Sequence, residues 1–219
     1  GLGFGPFTSQ SDRLFIRVLG SACHASSPHL GVDAMVAAAE VITSLQHIIS
    51  RRIDPRDCVV ITLGKISGGD RYNVICDRVE LEGTVRIMTP GYEDKIPQLI
   101  AKAGEGAVMA LGAKFEMEYL PGYPMVFNDE ALGRRVVEIL SRELGEASVK
   151  WIRKDTSGED FAYISRRVPS VYMKLGASPK GEEKDAIPLH NSKVIFDEDC
   201  IPVGIKALTT LSLNLLISG

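Results

Sequence analysis

The chain has 219 residues, of which 45% are hydrophobic and 24% charged, and a net charge of -3. That balance fits a globular protein with a core and excludes collagen-like, disordered and strongly basic classes. Lysines and arginines are spread along the sequence rather than massed in a stripe, which argues against nucleic acid as a partner. The apolar runs fall short of the roughly 20 residues that cross a bilayer, so no membrane partner is expected and residues 201–217 read as a packed terminal helix. Cys23, Cys58, Cys76 and Cys200 lie far apart without a C-x-x-C pair, the pattern of a reduced cytoplasmic protein rather than a zinc knuckle. Gly1 stands first with no leader pattern, so a segment upstream is expected.

Residues 13–19 alternate Leu14, Ile16 and Val18 against Arg17 and its neighbours, as a half-buried strand does. A loop of small residues leads to Asp33, a cap for a helix reaching Arg52 with an apolar face of Met35, Ala38, Ala39, Ile42, Leu45 and Ile49. Strand patterns follow at 58–66, 73–75 and 79–88, then a helix at 93–111 with Pro97 near its first turn, then a strand at 114–119. This order of strand, helix, strands, helix, strand predicts a split βαβ arrangement, an antiparallel sheet with two helices on one face. The breaker-rich run Leu120-Pro121-Gly122-Tyr123-Pro124 marks the expected domain edge. Beyond it a helix capped by Asn128 or Asp129 ends at Gly145, strands are expected at 149–152 and 170–175, a short helix near Ser157, and a last helix from about Asp199. Strands alternating with helices there predict part of a parallel α/β sheet.

Five places carry polar chemistry. His24 sits among small residues, where it either satisfies loop amides or serves a site. Asn73 and Arg86 are polar groups in expected strands. A guanidinium there can bind a carboxylate with two parallel hydrogen bonds, or can snorkel to the sheet edge. Glu159 and Asp160, three residues after Thr156 and Ser157, form a capping box and are also candidates to support a metal site. His190, at the end of a polar loop, suits a metal ligand, yet it has no other ligand at ligand spacing.

Taken in order, Ser11-Asp12-Arg13-Leu14-Phe15, His24-Ala25-Ser26-Ser27-Pro28, Gly31-Val32-Asp33-Ala34, Ser50-Arg51-Arg52, Gly68-Gly69, Asn73-Val74-Ile75, Gly83-Thr84-Val85-Arg86, Gly158-Glu159-Asp160-Phe161 and Leu189-His190 resemble the C-terminal part of a known family. It is the aminoacylase, hippurate hydrolase and indole-acetyl-amino-acid hydrolase branch of the metallo-exopeptidases. The resemblance implies an α/β fold in which a catalytic sheet is interrupted by a ferredoxin-like α+β lid and dimerisation domain. Residues 12–119 would be the lid, and 1–11 with 120–219 parts of the catalytic domain. It implies hydrolysis of the amide of N-acyl amino acids or small peptides by a water on one or two divalent metals, zinc, manganese or cobalt.

On the same resemblance, His190 would be the last metal ligand and His24 would hydrogen-bond the oxyanion in the partner subunit's site of a homodimer. Asn73 and Arg86 would hold the substrate carboxylate. The general base and the other ligands would lie upstream of Gly1, so this chain by itself is expected to hold metal feebly and to be inactive. The alternative is a non-catalytic dimerisation or binding module that has lost its metal site.

Overall fold

A computed structural model describes residues 1–179, 187 and 189–217. Part of the polar loop expected after Gly176, residues 180–186 and 188, lies outside the described residues. The chain packs as two compact units: Thr8–Val126 with Asp155–Tyr163, and Gly1–Phe7 with Phe127–Lys154 and Ile164–Gly219.

The first unit is the expected split βαβ arrangement. Strands β2 (Gln10–Leu19), β3 (Val59–Gly68), β4 (Arg78–Ile87) and β5 (Lys114–Tyr123) form one antiparallel sheet in the order β3-β4-β2-β5. (The two-residue strand β1, Gly5–Pro6, belongs to the other unit.) Helices α1 (Ala34–Arg52) and α2 (Lys95–Met109) pack on one face. Leu14, Ile16 and Val18 of β2 meet Val79, Leu81 and Val85 of β4 in the core they cover. On the other face, Arg17 lies 3.8 Å from Glu80 and 3.6 Å from Glu116, and Lys65 pairs with Glu82. These exposed pairs add little stability, but they show that this face meets water.

Helix α1 begins where the sequence places it. Asp33 Oδ1 accepts from the amides of Met35 at 2.8 Å and Val36 at 3.2 Å, so Asp33→Ala is expected to cost about 1 kcal/mol in a urea denaturation curve. The buried face, however, is Ala34, Ala37, Ala38, Val41, Leu45 and Ile48. Met35 and Ala39 are exposed and Ile42 and Ile49 only half-buried. Alanines on both flanks made two neighbouring stripes equally plausible, and the sheet took the one whose smaller residues let it approach.

Other expectations are corrected. Residues 73–75 are not a strand but a turn and a single bridge, Val74 opposite His24. Strand β5 runs on through Pro121 and Gly122 to Tyr123. Breaker residues are tolerated there because β5 is a sheet edge, where a missing amide donor leaves no rung unmade. The β2–β5 register shifts between Ser11 and Arg13. The two compact units meet at Phe7/Thr8 and Val126/Phe127, and residues 155–163 pack with the sheet unit.

In the second unit, α3 (Glu130–Leu144) is capped by Asp129, whose side chain accepts from Leu132 N at 2.8 Å. It ends at Gly145 with φ 86, a left-handed conformation that glycine adopts without cost. Strands β1 and β6 (Phe127–Asn128) pair antiparallel. The strands expected at 149–152 and 170–175 appear as extended rungs on Gly1 and Leu2. Leu2 N donates to Lys150 O and Ile152 N to Leu2 O, both at 3.1 Å, while Lys174 N donates to Gly1 O at 2.8 Å. The short helix α4 starts later than expected, at Ala162–Ser165.

Helix α5 (Cys200–Ile217) packs on α3 through Leu211 beside Val136, Ile139 and Leu140. Leu211 is its only buried residue, and Ile205, Leu208, Leu216 and Ile217 are exposed. The expected terminal helix is thus present and packs on α3, but through a single buried residue. By length and composition alone its 18 residues are apolar enough to cross a membrane, which the expectation from short apolar runs, weighing Lys206, did not allow for.

Candidate functional site

His24 lies in the loop that leaves β2. This loop continues the β2–β4 ladder past the sheet end: Gly20 N donates to Asp77 O at 2.8 Å, Ile75 N to Cys23 O at 2.9 Å and Ala25 N to Asn73 O at 3.0 Å. Gly20 is needed where the loop crosses α1's approach, since a Cβ there would sit 2.1 Å from Val32 O. The imidazole is exposed. Its Nδ1 accepts from Ser26 N at 3.1 Å and lies 2.7 Å from Ser26 Oγ. A backbone amide can only donate, so in the neutral ring the proton is on Nε2. His24 therefore presents a held N–H donor to the outside, with Asn73 directly beside it. The Asn73 side chain makes no hydrogen bond among the described residues.

Arg86 is on β4, in register with Ser11 of β2 and Val60 of β3. Among the described residues it forms no ion pair, which leaves its guanidinium open to a carboxylate. It stands eight positions along the strand from Arg78, and His24 and Asn73 lie beyond the Arg78 end. At about 3.3 Å per residue, that separates Arg86 from the pair by about 25 Å. One chain thus brings His24 and Asn73 together but not Arg86, and no small substrate spans the gap.

Glu159 and Asp160 do not form the expected capping box, because no helix begins at Ser157. Asp155 Oδ1 instead accepts from Ser157 N at 2.7 Å, and Ser9 holds the segment by Oγ to Thr156 O at 2.7 Å and N to Ser157 O at 3.1 Å. The backbone carbonyls of Glu159 and Asp160 accept from Ala162 N and Tyr163 N in the turn before α4.

His190 is in the other unit, exposed, with φ 66, the single non-glycine positive φ among the described residues. Such a backbone costs on the order of 1 kcal/mol or more and tends to persist where a side chain must be aimed. No three His, Cys, Asp or Glu side chains converge to hold a metal among the described residues. A catalytic divalent ion takes at least three protein ligands, so the described residues do not complete a site and His190 is one candidate ligand.

Sequence reasoning missed Asp12. Its carboxylate is 1% exposed and accepts from Tyr119 OH at 2.5 Å, Gln10 Nε2 at 2.8 Å and Gly122 N at 2.9 Å. Burial first, and then the bond to Asp12, push the Tyr119 phenol well above its ordinary pKa. The signal was present: Asp12 shares the alternating stripe of Leu14, Ile16 and Val18.

The fold and the His24–Asn73 loop pair define a two-layer α+β domain that offers a fixed donor at one end of its sheet. Residues 10–103 match the peptidase dimerisation domain of the M20 family. A protein of Synechocystis sp. named a probable hydrolase is 35% identical over 210 residues, which are 95% of this chain and 53% of that protein. An N-acetyldiaminopimelate deacetylase of Anoxybacillus flavithermus is 34% identical over 206 residues, 94% of this chain and 52% of its own length.

Among solved structures, a protein of methicillin-resistant Staphylococcus aureus provisionally assigned as an aminohydrolase superposes with a TM-score of 0.86 at 30% identity, over 97% of this chain and 54% of that one. A dinuclear metal-binding peptidase of the M20 family from Bacillus subtilis has a TM-score of 0.76 at 24% identity, over 99% of this chain and 52% of its own, a likeness that bears on the fold alone. The chain belongs to the M20 family of peptidases and amidohydrolases, matching its C-terminal portion. It spans about half the length of the curated relatives it matches.

Proposed function

We propose that the intact protein hydrolyses the amide of N-acyl amino acids or small peptides, and that the present chain supplies its dimerisation domain and one metal ligand. The observation that carries this reading is the His24 imidazole, locked by Ser26 so that Nε2–H faces outward beside Asn73. A fixed neutral donor of that kind is worth most where charge develops on an amide oxygen, since it strengthens as the carbonyl becomes an oxyanion. The kinship with a deacetylase supports the amide as the bond cleaved.

In this reading the active protein is a homodimer, and each centre takes His24 and Asn73 from one copy and Arg86 from the other. The separation of about 25 Å along β4 supports that division. Strand β3 is the edge on which copies would pair. It is ten residues long, carries the exposed Val60 and contains no proline, whereas β5 contains Pro121. His190 would be one ligand of a divalent ion, zinc, manganese or cobalt, which when bound lowers the pKa of a water and polarises the carbonyl. Glu159 and Asp160 are proposed to support that region rather than to react. The chain as given, with one candidate ligand, is proposed to be inactive alone.

The test is to purify the intact gene product and measure metal content and release of amino acid from N-acetyl amino acids. Metal-dependent hydrolysis is expected, with metal lost in His190→Ala and no hydrolysis by residues 1–219 alone. Hydrolysis by the short chain, or full metal retention in His190→Ala, would count against it. The match to a dimerisation domain also favours a second reading, a non-catalytic dimerisation module. A tight dimer of the intact product that takes up no metal and cleaves no amide would establish it.

A further inference from the structure

From the pairing of the two loops we infer that Val74 is a specificity-determining residue: it forms the apolar wall against which the substrate's acyl group lies, and it selects short aliphatic acyl groups. The inference rests on the amide-hydrolysis reading above and names a residue that the sequence pattern concealed inside an expected strand.

His24 and Val74 are bridge partners in an antiparallel pair. The hydrogen bonds flank them, from Ala25 N to Asn73 O and from Ile75 N to Cys23 O. They are therefore a non-hydrogen-bonded pair, the kind whose side chains stand closest on a common face, with Cβ atoms about 4.5–5.5 Å apart.

Val74 is 40% exposed, so its methyl groups line open space next to the ring. With Nδ1 taken by Ser26, the ring has only Nε2–H left to offer a ligand. An amide oxygen that accepts from Nε2 at about 2.9 Å brings its carbonyl carbon, and the first carbons of the acyl chain, into van der Waals range of those methyls. A valine there has no polar atom to reward a charged acyl substituent and is branched at Cβ, so it narrows the space at the first acyl carbons. A compact apolar acyl group fits, and a bulky one is excluded. The turn that carries Val74 is closed by its own amide, Val74 N to Arg71 O at 3.3 Å, so the wall keeps its place without help from the side chain.

The test uses the intact protein and compares kcat/KM for N-acetyl and N-benzoyl derivatives of one amino acid. In Val74→Ala the benzoyl-to-acetyl ratio is expected to rise about tenfold, the discrimination that a methylene-sized change in an apolar pocket gives. In Val74→Phe it is expected to fall. Val74→Thr keeps the shape and the β-branch, so it serves if the alanine variant does not fold, and it is expected to raise turnover of a hydroxyacetyl substrate relative to acetyl. A ratio within twofold of the wild type in all three variants, or an equal loss for both substrates, overturns the proposal, because Val74 would then only support the loop. If the wild-type intact protein cleaves neither substrate, the amide-hydrolysis reading itself falls and takes the inference with it.

Discussion

Replacing Asp12 with alanine is expected to lower folding stability by about 3 kcal/mol, read as a shift of the urea midpoint at an unchanged m-value. The carboxylate is buried and accepts from Tyr119, Gln10 and the Gly122 amide. Removing it strands the buried Gln10 amide and takes the shared acceptor from Tyr119 and Gly122, which are only partly shielded from water. Tyr119→Phe removes one of those donors together with its bond and should cost only about 1 kcal/mol.

The pair also sets an alkaline limit. The Tyr119 pKa is raised in the folded protein, by burial first and then by Asp12, so the native state keeps a proton that the unfolded chain releases above about pH 10. Stability from this source is fully present below that pH and is lost as pH rises beyond it. Tyr119→Phe should lack that alkaline slope. A midpoint for Asp12→Ala within about 1 kcal/mol of wild type would mean that the network is dispensable.

The second large effect concerns catalysis by the intact protein. His24→Ala is expected to reduce kcat by about 10²–10³ with a much smaller change in KM, as removal of an oxyanion donor does. Arg86→Ala, removing a ground-state contact to the substrate carboxylate, is expected to act mainly on KM. Mixing the two inactive or impaired variants supplies the sharper check. If each centre takes His24 from one copy and Arg86 from the other, mixed dimers contain one centre with both residues and regain activity that neither parent has. Failure to regain it, in mixtures shown to exchange subunits, would place both residues in a single chain's site or in none.

How far the sequence could be read depended on whether the deciding interaction was local. The Asp33 cap and the β2 alternation rest on neighbours within a few residues, and both appear as expected. The face of α1 was misjudged because its alanines are small enough for either of two adjacent stripes. Strand β5 was cut short at Pro121 because a breaker reads as a stop unless the strand is known to be an edge, which only the assembled sheet reveals.

The extended segments of the second unit take their rungs from Gly1 and Leu2, about 150 residues away in sequence, beyond the reach of any window of periodicity. At the candidate site, His24 and Asn73 could be singled out as polar groups in odd company. Their adjacency could not be read, nor the role of Ser26 in fixing the tautomer, because both depend on two loops running antiparallel past the end of the sheet.

The contrast between the two sheet borders has a consequence for stoichiometry. Proline within β5 denies that border a donor, and the neighbouring Gly122 amide is already engaged by Asp12, while β3, with one register shift between Leu63 and Lys65, contains no proline. A subunit with one adhesive border can join a twin through a two-fold axis and then has nothing left to offer a third. In the proposed dimer, growth along the sheet would end at two copies, and the border that admits a partner would leave none for fibre growth.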